Sequence, residues 1–506
     1  MGKNRDDRLK IGAVPAGRGR IGMTLCPGKK QIGAASGDWN RDLDQDLNEI
    51  VRWGASSIVS VIESSELREL RVPELGEKAE ALGLDWYHLP VADVSVPGLD
   101  FEALWVYAGH RLRRALSQGQ NVLIHCKGGL GRTGTVAARL LVEVGHSCDD
   151  AIRKVREARP SAIETKEQER YVRNVIALQK HEKYADKVLG CLLGGAVGDA
   201  LGYEVEFHRW DAIKRNYGSQ GIREVPIHEG VAAVSDDTQM TLFTLEGMLR
   251  GIRTSGTSVL GEIRRAYLDW LATQGKGARG WTAAGALCRD ARLRHSRAPG
   301  NTCLSALRAG RAVADSKGCG GVMRVAPLGL TLRWPAQQAF ELGAEAAALT
   351  HGHATGYLSA GAFASMVRVL LNGSDPTGAA NDALSILQAK PNADETRNAI
   401  LAALDAKPNQ RYSLPAVKHL GEGWVAEEAL SIGLHSALRG GSFPESVQIA
   451  ANHDGDGDST ASIAGQIYGA WRGLADLPNR WIRRIDVLVP LLTLAGELIG
   501  TESELV

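Results

Sequence analysis

The spacing of hydrophobic positions changes character about a third of the way along this chain of 506 residues. Before residue 180, β-branched runs such as Ser57–Ile62 and Asn121–His125 alternate with segments of helical periodicity such as Leu43–Trp53. Strands that alternate with helices predict a parallel, doubly wound α/β sheet. Residues 1–35 are rich in Gly, Lys and Arg, and we expect a loop there with one short strand near Ile21–Leu25.

Beyond Lys187 the pattern is helical almost throughout, with many Ala, Leu and Gly residues and little β-branched alternation. This predicts an orthogonal all-α bundle with functional loops at one end. A charged helical run, Tyr171–Tyr184, is expected to close the first region, so we divide the chain into an α/β domain, 1–182, and an all-α domain, 183–506. The predicted helices of the second domain are Lys187–Gly198, Asp236–Ile252, Ser258–Gln274, Thr302–Ala314, Pro335–Leu349, Thr355–Asn372, Ala393–Ala406, Trp424–Gly440, Phe443–Ala451, Ser459–Leu474 and Val487–Leu498.

The composition is that of a globular protein, with 44% hydrophobic and 23% charged residues. A net charge of +1 argues against a general nucleic-acid binder or a membrane-surface binder. The seven cysteines form no CxxC pair, which favours a reducing compartment over a zinc site or a disulfide framework. No apolar run is expected to be long enough to span a bilayer, so we expect a cytoplasmic enzyme.

A glycine-rich loop follows the strand that ends at His125, and a helix is predicted after it. Backbone N–H groups in such a loop, together with the helix N-terminus, bind anions. Cys126 at its start is favoured as a thiolate nucleophile, Arg132 can bind two phosphate oxygens, and Thr133 can donate a hydrogen bond to the sulfur. The alternative is a buried cysteine beside an incidental turn. The predicted phosphate-binding residues are Lys127, Gly128, Gly129, Leu130, Gly131 and Arg132.

Attack by a thiolate on a phosphate ester requires an acid for the departing oxygen. Asp93 is the candidate, because it lies in the loop Pro90–Pro97 at the end of a strand; the alternative is a turn aspartate. Gln168 could orient the water that hydrolyses the phosphocysteine, or it could be a surface glutamine.

These residues carry a resemblance to the dual-specificity (Cys-based) protein phosphatases, most similar to the kinase-associated phosphatase branch. The shared segments are Arg71-Val72-Pro73, Pro90–Pro97, His125–Gly134 and Ala162–Gln168. The resemblance implies hydrolysis of phosphomonoesters without a metal. Its substrate would be a phosphorylated protein or a small phosphate ester.

The second domain contains two acidic motifs. In Asn452–Gly465, the carboxylates of Asp454, Asp456 and Asp458 alternate with Gly, and in Ser235–Thr238 two aspartates begin a predicted helix. Crowded carboxylates repel each other, and a hard divalent cation such as Mg²⁺ would neutralise them. The alternative is that both motifs are helix caps with acidic neighbours.

Two further loops have candidate ligand contacts. The segment Gly318–Pro327 is glycine-rich and could bind a diphosphate through its backbone N–H groups. His351 and His353 could be metal ligands, but hard, oxygen-rich metal sites rarely use imidazole. A hydrogen bond to substrate, or a position at a helix C-terminus, is therefore favoured. The helix around Gly190–Gly202 has small residues on one face, which allows close packing.

Together these motifs resemble the ADP-ribosylglycohydrolase family, in family order from Gly190 to Gly465. The resemblance implies an all-α fold, two Mg²⁺ (or Mn²⁺) ions and hydrolysis at the C1″ carbon of ADP-ribose. It also implies roles for individual residues. One ion would be held by Ser235, Asp236 and Asp237, the other by Asp456 and Ser459, and Asp458 would bridge the two. Glu206 is an acid/base candidate. The diphosphate would be contacted by Gly318, Gly320 and Gly321, and the distal ribose by His351.

Two positions depart from the family pattern. Asp454 stands where Gly is usual, and Gly457 where Ser or Thr is usual; we expect Asp454 to add negative charge near the metals. The leading hypothesis is a bifunctional hydrolase that acts on an ADP-ribosylated protein or ADP-ribose derivative and on a phosphate ester. The alternative is that one domain binds ADP-ribose or phosphate without turnover and targets the other.

Overall fold

The computed structural model describes residues 8–34, 37–175, 182–254, 256–275, 277, 280–405 and 417–502. The chain divides into two compact units, Met1–Glu182 and Lys183–Val506. Parts of two predicted helices, Tyr171–Tyr184 and Ala393–Ala406, lie outside the described residues.

The first unit is an α/β domain, as predicted. Its strands are β1 Gly12–Ala16, β2 Gly19–Leu25, β3 Lys30–Gln31, β4 Trp39–Asn40, β5 Ala55–Ser60, β6 Asp85–His88 and β7 Asn121–Cys126. Its helices are α1 Leu43–Trp53, α2 Ser64–Glu69, α3 Leu75–Ala81, α4 Leu99–Ser117, α5 Gly131–Glu143, α6 Cys148–Ala158 and α7 Lys166–Arg173. Within the described residues, five strands form a sheet in the order β1-β2-β7-β5-β6, parallel except for β1.

Over the described residues 8–34, the expectation of a loop with one short strand is wrong. β1 and β2 form an antiparallel hairpin, and Gly17 in its turn has a φ of 58°. β1 contains Pro15, which weakened the strand signal. Pro15 is accommodated because β1 is an edge strand, where one missing N–H donor can face away from the sheet.

The pairing of β2 with β7 determines what surrounds the glycine-rich loop. Leu25, the last residue of β2, lies opposite Cys126, the last residue of β7. Because the two strands are parallel, the segment after Leu25 leaves the sheet at the same edge as the glycine-rich loop. Residues distant in sequence, including Lys29, therefore lie beside Cys126.

The second unit is all-α over its described residues, also as predicted. Its helices are α8 Glu182–Tyr203, α9 Trp210–Tyr217, α10 Asp236–Arg253, α11 Val259–Thr273, α12 Asn301–Ala309, α13 Ala336–Ala348, α14 Ala354–Leu371, α15 Pro376–Leu387, α16 Asp394–Asp405, α17 Ala426–Arg439, α18 Phe443–Ala451, α19 Gly457–Arg472, α20 Asn479–Ile482 and α21 Leu488–Glu502. The pattern-based prediction missed α9, α15 and α20, which are short or rich in small residues.

Close backbone contact joins α8 to α19 through the small residues noted in the sequence. A Cβ atom added at Gly194 would lie 2.3 Å from the carbonyl oxygen of Gly465, and one at Gly198 would lie 2.1 Å from that of Ala461. Real Cβ atoms do not approach an oxygen so closely, so the helices pack at this distance only without side chains. Equivalent contacts join Gly190 to Gly469 and Gly202 to Gly457.

One described helix, Ala354–Leu371, has the length and composition to cross a membrane, so the expectation that no run is long enough was too strict. Some 83% of this segment is buried inside the protein. Burial in the helical core accounts for its apolar composition.

Candidate active sites

The glycine-rich loop after β7 has the geometry of an anion site. Gly129 has a φ of 73°, and a Cβ there would lie 2.3 Å from the carbonyl oxygen of Thr24 on β2. Its N–H donates to the sulfur of Cys126 at 3.2 Å. Arg159 donates to the carbonyl oxygens of Gly128 and Gly129 at 3.2 and 3.0 Å. Because C=O and N–H point in opposite directions in a trans peptide, these contacts with Arg159 orient the N–H groups of Gly129 and Leu130 away from Arg159, and that of Gly129 faces the sulfur.

Arg132 lies at the N-terminal end of α5, and its guanidinium is almost fully buried. It donates to both carboxylate oxygens of Glu66, with 2.9 Å from Nη2 to Oε1, and to the carbonyl oxygen of Val91 at 2.9 Å. Nη2 also lies 2.8 Å from Oδ1 of Asp93, whose side chain is 58% exposed. The structure thus brings the predicted acid and the predicted phosphate ligand together.

One predicted interaction differs in the structure, that of Thr133, and for Gln168 the structure excludes one of two alternatives. The hydroxyl of Thr133 is buried without a hydrogen-bond partner among the described residues, so it does not bond to the sulfur of Cys126, which instead accepts the amide of Gly129. Gln168 is fully buried and is not a surface residue. Its Oε1 caps α7, and its Nε2 donates to the carbonyl oxygen of Ser95 at 3.2 Å. Gln168 therefore tethers the loop that carries Asp93.

Sequence reasoning missed Lys29, which lies in the segment after β2. Lys29 is only 5% exposed, and its Nζ donates to the carbonyl oxygen of Lys127 at 3.4 Å. It also lies 5.4 Å from the ring centre of Trp39. Burial lowers the pKa of Lys29. The pair of lysines after a predicted strand was the available signal, but only the sheet order places one of them at the glycine-rich loop.

In the second unit, most predicted residues converge on one cavity of about 350 Å³. The predicted residues that line it are Glu206, Asp236, Asp237, Gly318, Gly320, His351, Asp456, Asp458 and Ser459. Ser235 and Gly321 do not line it. Ser235 is fully buried as the N-cap of α10, where its hydroxyl accepts the N–H of Asp237 at 3.1 Å.

Three carboxylates form the acidic centre of this cavity. Oxygen atoms of Glu206, Asp456 and Asp458 lie within 4.8 Å of one another, and all three residues are buried. Burial and the neighbouring charge of Asp458 raise the pKa of Glu206 to about 9. Such a group is stable as a set of anions only when a cation is bound to it.

Unsatisfied oxygens test whether this set fits a metal. Buried oxygens of Glu206, Asp237 and Asp458 accept no hydrogen bond from the described part of the chain. Buried polar atoms in folded proteins nearly always have a partner. Converging carboxylate oxygens without protein donors are the donor set that hard divalent cations prefer, so the residues fit Mg²⁺ or Mn²⁺.

Asp199 on α8 was not predicted as a site residue but organises this region. Its carboxylate accepts the N–H of Ser235 at 2.9 Å and that of Thr238 at 3.0 Å. Burial, followed by the charge of Asp458, raises the pKa of Asp199 to about 7. These bonds fix the first turn of α10, and with it Asp236 and Asp237, against α8.

The expectation that Asp454 adds its charge to the metal site is not supported. Its Oδ1 accepts the N–H of Trp210, the first residue of α9, at 2.7 Å. A carboxylate at a helix N-terminus is stabilised by unpaired N–H groups. Gly457 is the other departure from the family pattern. A Cβ placed at Gly202 would lie 2.1 Å from the carbonyl oxygen of Gly457, so Gly457 belongs to the glycine contact between α8 and α19.

Aromatic and histidine side chains complete the surroundings. Phe207 and Trp424 line the cavity and stack with ring centres 5.9 Å apart. His353 does not line it; its Nδ1 accepts the N–H of Thr355 as the N-cap of α14. His353 therefore caps a helix N-terminus, whereas a helix C-terminus was one of the two favoured alternatives. His351 lies at the cavity, where the other alternative, a hydrogen bond to substrate, stays a prediction.

A family model described as ADP-ribosylglycohydrolase matches residues 180–504. The chain belongs to the ADP-ribosylglycohydrolase family. It is 25% identical over 331 residues to the ADP-ribosyl-[dinitrogen reductase] glycohydrolase of Rhodospirillum rubrum, covering 62% of this chain and 97% of the relative. It is 23% identical over 326 residues to the ADP-ribosylarginine hydrolase Tri1 of Pseudomonas putida, covering 63% and 79%.

A second model, described as a polymorphic toxin system DSP-PTPase phosphatase, matches residues 35–146. Cyclin-dependent kinase inhibitor 3 of Rattus norvegicus is 32% identical over 155 residues, which are 30% of this chain and 69% of the relative. Among solved structures, kinase-associated phosphatase with its catalytic cysteine replaced by serine matches with 27% identity and a TM-score of 0.30, covering 33% of this chain and 94% of that one. An ADP-ribosylglycohydrolase-related protein complex matches with 23% identity and a TM-score of 0.47, covering 63% and 99%.

The two matched regions make this ADP-ribosylglycohydrolase family member an enzyme with a dual-specificity phosphatase domain at its N-terminus. The family is generally dependent on divalent metals, which agrees with the carboxylate cluster of the second unit.

Proposed function

We propose that the chain is a bifunctional hydrolase that removes ADP-ribose from modified proteins and also hydrolyses phosphomonoesters. The observation that carries the first activity is the convergence of buried carboxylates with unsatisfied oxygens on one cavity. The second activity rests on Cys126 at the base of a preorganised anion loop.

In the hydrolase unit, the cations would be held by the acidic residues and hydroxyl groups at the starts of α10 and α19. When bound, divalent cations polarise ribose hydroxyl oxygens and stabilise negative charge. Glu206 is the candidate acid/base, because its carboxylate lies at the cavity beside those of Asp456 and Asp458, where it can accept or donate a proton. The proposed ligands are Asp236, Asp237, Asp456, Asp458 and Ser459. Ser235 does not line the cavity but accepts the N–H of Asp237 and so supports this ligand.

We propose arginine as the modified side chain, because two curated relatives are named ADP-ribosylarginine hydrolases. In that reaction water adds to the C1″ carbon, the bond from C1″ to the guanidinium nitrogen breaks, and the leaving nitrogen takes a proton. A carboxylate can stabilise the oxocarbenium character that develops at C1″.

In the phosphatase unit, the Cys126 thiolate would attack phosphorus while Arg132 and the loop amides hold the phosphoryl oxygens. The bond from phosphorus to the ester oxygen breaks, and Asp93 would protonate that oxygen. A bound phosphate would compete with Asp93 for Arg132 and so release the carboxylate for this role. Water then hydrolyses the phosphocysteine.

The deciding experiment measures release of ADP-ribose from proteins modified on arginine or on serine, with Mg²⁺, with Mn²⁺ and with a chelator. We expect metal-dependent release from modified arginine, and at least about 10³-fold less with Asp458→Ala, because several kcal/mol of charge stabilisation are lost. Cys126→Ser serves as the matched control and should release ADP-ribose at the wild-type rate.

Other outcomes are equally informative. Release from serine alone would refute the arginine linkage. Metal-dependent binding of ADP-ribose without any release would show that the second unit is a reader and would leave Cys126 as the only proposed catalytic centre.

A further inference from the structure

Arg324 is a fully buried cation that no described carboxylate pairs with. Its Nη2 donates to the carbonyl oxygen of Ala346 at 3.1 Å and to the hydroxyl of Thr350 at 2.7 Å. The guanidinium also lies 4.4 Å from the ring centre of Tyr267. Burying a guanidinium without a counter-charge is unfavourable. This arrangement therefore calls for a role beyond packing.

The hydroxyl of Thr350 connects this guanidinium to His351. Its Oγ1 lies 2.8 Å from Nδ1 of His351 and 3.2 Å from the carbonyl oxygen of Ala347. All three side chains, those of Arg324, Thr350 and His351, are at most 1% exposed. They form a short hydrogen-bonded chain that ends at the ring of His351.

The direction of these hydrogen bonds depends on which groups have a proton to donate. Arg324 can only donate, so Thr350 accepts from it and has one proton left to donate. The contact with the Ala347 carbonyl oxygen, at 3.2 Å, is longer than a normal O–H···O bond, whereas the distance to Nδ1 is normal. Donation by Arg324 also polarises the Thr350 hydroxyl and strengthens it as a donor. These distances favour Nδ1 as the acceptor.

A neutral imidazole that accepts at Nδ1 carries its proton on Nε2. Burial, together with the charge of Arg324, lowers the pKa of His351 to about 3, so the ring stays neutral. Cβ atoms placed at Gly318 or Gly320 would lie 3.5 Å from Nε2, so this end of the ring faces the glycine-rich wall of the cavity. Glycine at these positions leaves room there for a ligand atom.

We propose that Arg324 and Thr350 are a positioning pair that fixes His351 in the Nε2–H tautomer, which makes the ring a permanent hydrogen-bond donor to the ligand in the cavity. The ligand atom must then be an acceptor, such as a hydroxyl, ether or phosphate oxygen. The buried charge of Arg324 additionally favours an anionic ligand. The identity of the ligand as ADP-ribose rests on the proposed function, whereas the tautomer of His351 is inferred independently of it.

The tautomer is tested in the full-length protein labelled with ¹⁵N in its histidine rings. Long-range ¹H–¹⁵N correlation spectra separate protonated from unprotonated ring nitrogens, and His351→Gln assigns the signal. We expect an unprotonated Nδ1 and a protonated Nε2 in wild type and in Thr350→Ser, which keeps the hydroxyl. Thr350→Val has nearly the same shape without the hydroxyl, and in it we expect a mixture of tautomers.

Calorimetric titration with ADP-ribose in Mg²⁺ gives the second measurement. We expect Thr350→Val to bind about tenfold more weakly than wild type, the effect of one impaired hydrogen bond to a charged ligand, and Thr350→Ser to bind as wild type. A wild-type ring protonated on Nδ1 would overturn the proposal, even if Thr350→Val failed to fold. So would a Thr350→Val protein with unchanged tautomer and affinity. An Nε2–H ring in a wild-type protein that neither binds ADP-ribose nor releases it from modified proteins would support the pair and refute the proposed ADP-ribosyl hydrolase activity.

Discussion

The two candidate active sites are built in opposite ways. In the phosphatase unit the nucleophile and the anion loop come from one uninterrupted stretch, His125–Gly134, that closes on itself at the end of a strand. In the hydrolase unit the carboxylates come from the starts of α10 and α19 and from the segment after α8, which are far apart in sequence. The first site has basic side chains around an anion-binding loop, and the second has buried carboxylates around a proposed cation site.

Because of this difference, substitutions at different kinds of position should disturb each site. Backbone geometry of a few residues, supported by Arg159 and Glu66, creates the anion loop. The acidic centre instead depends on how closely α8 and α19 approach, because Glu206 follows one helix and Asp458 begins the other. We therefore expect distant packing residues to affect the acidic centre, and local residues to affect the anion loop.

The largest expected effect separates the two sites outright. Cys126→Ser should reduce hydrolysis of a chromogenic phosphate ester by at least about 10⁴-fold, because the nucleophile is lost. ADP-ribose release should not change, and Asp458→Ala should give the reverse pattern. Steady-state rates of both reactions on each variant measure this. Loss of both activities in either variant would contradict two separately built sites.

A packing substitution should affect only the assembled site. In Gly198→Ala the new Cβ would lie 2.1 Å from the carbonyl oxygen of Ala461, which should lower the free energy of unfolding by about 1–3 kcal/mol and weaken Mg²⁺ binding. Gly128→Ala is the matched control, since nothing lies within 4 Å of a Cβ there. Thermal unfolding and Mg²⁺ titration give both quantities. Equal stability and equal Mg²⁺ affinity of the two variants would show that the helix contact does not support the metal site.

The acidic site should also respond to pH when a chelator is present. The pKa of Glu206 is about 9 in the folded protein against an ordinary 4.5, so between these values the folded state binds more protons than the unfolded state. Stability of the chelated protein should therefore fall as pH rises from 6 to 9. Mg²⁺ should remove this slope, and Glu206→Gln should reduce it. Identical melting curves with chelator and with Mg²⁺ at every pH would argue against a cation here.

The smallest expected effect concerns Asp454. Asp454→Ala removes the acceptor for the first N–H of α9 and should cost about 1 kcal/mol of stability, while Asp454→Asn should cost less because it keeps an acceptor. Neither should change the preference between Mg²⁺ and Mn²⁺ in ADP-ribose release. A changed preference would restore the idea that this carboxylate acts on the metals.

Contiguous motifs made much of this protein predictable. The period of hydrophobic positions gave both fold classes, because helices and strands bury side chains at different repeats. Cys126, Arg132 and the two acidic motifs were evident because their chemistry requires neighbouring residues. The contact of Asp454 was not evident, since its spacing matches that of Asp456 and Asp458 while its carboxylate accepts a hydrogen bond from the first residue of another helix.

The sequence by itself determined the two architectures, the anion loop and the types of residue at the metal site. Only the tertiary structure decided that Lys29 lies beside Cys126, that Asp199 holds the start of α10, and that Arg324 acts on His351 through Thr350. Each of these contacts joins elements whose separation along the chain carries no local signal. Their partners are selected by strand order and helix packing, which depend on the whole fold at once.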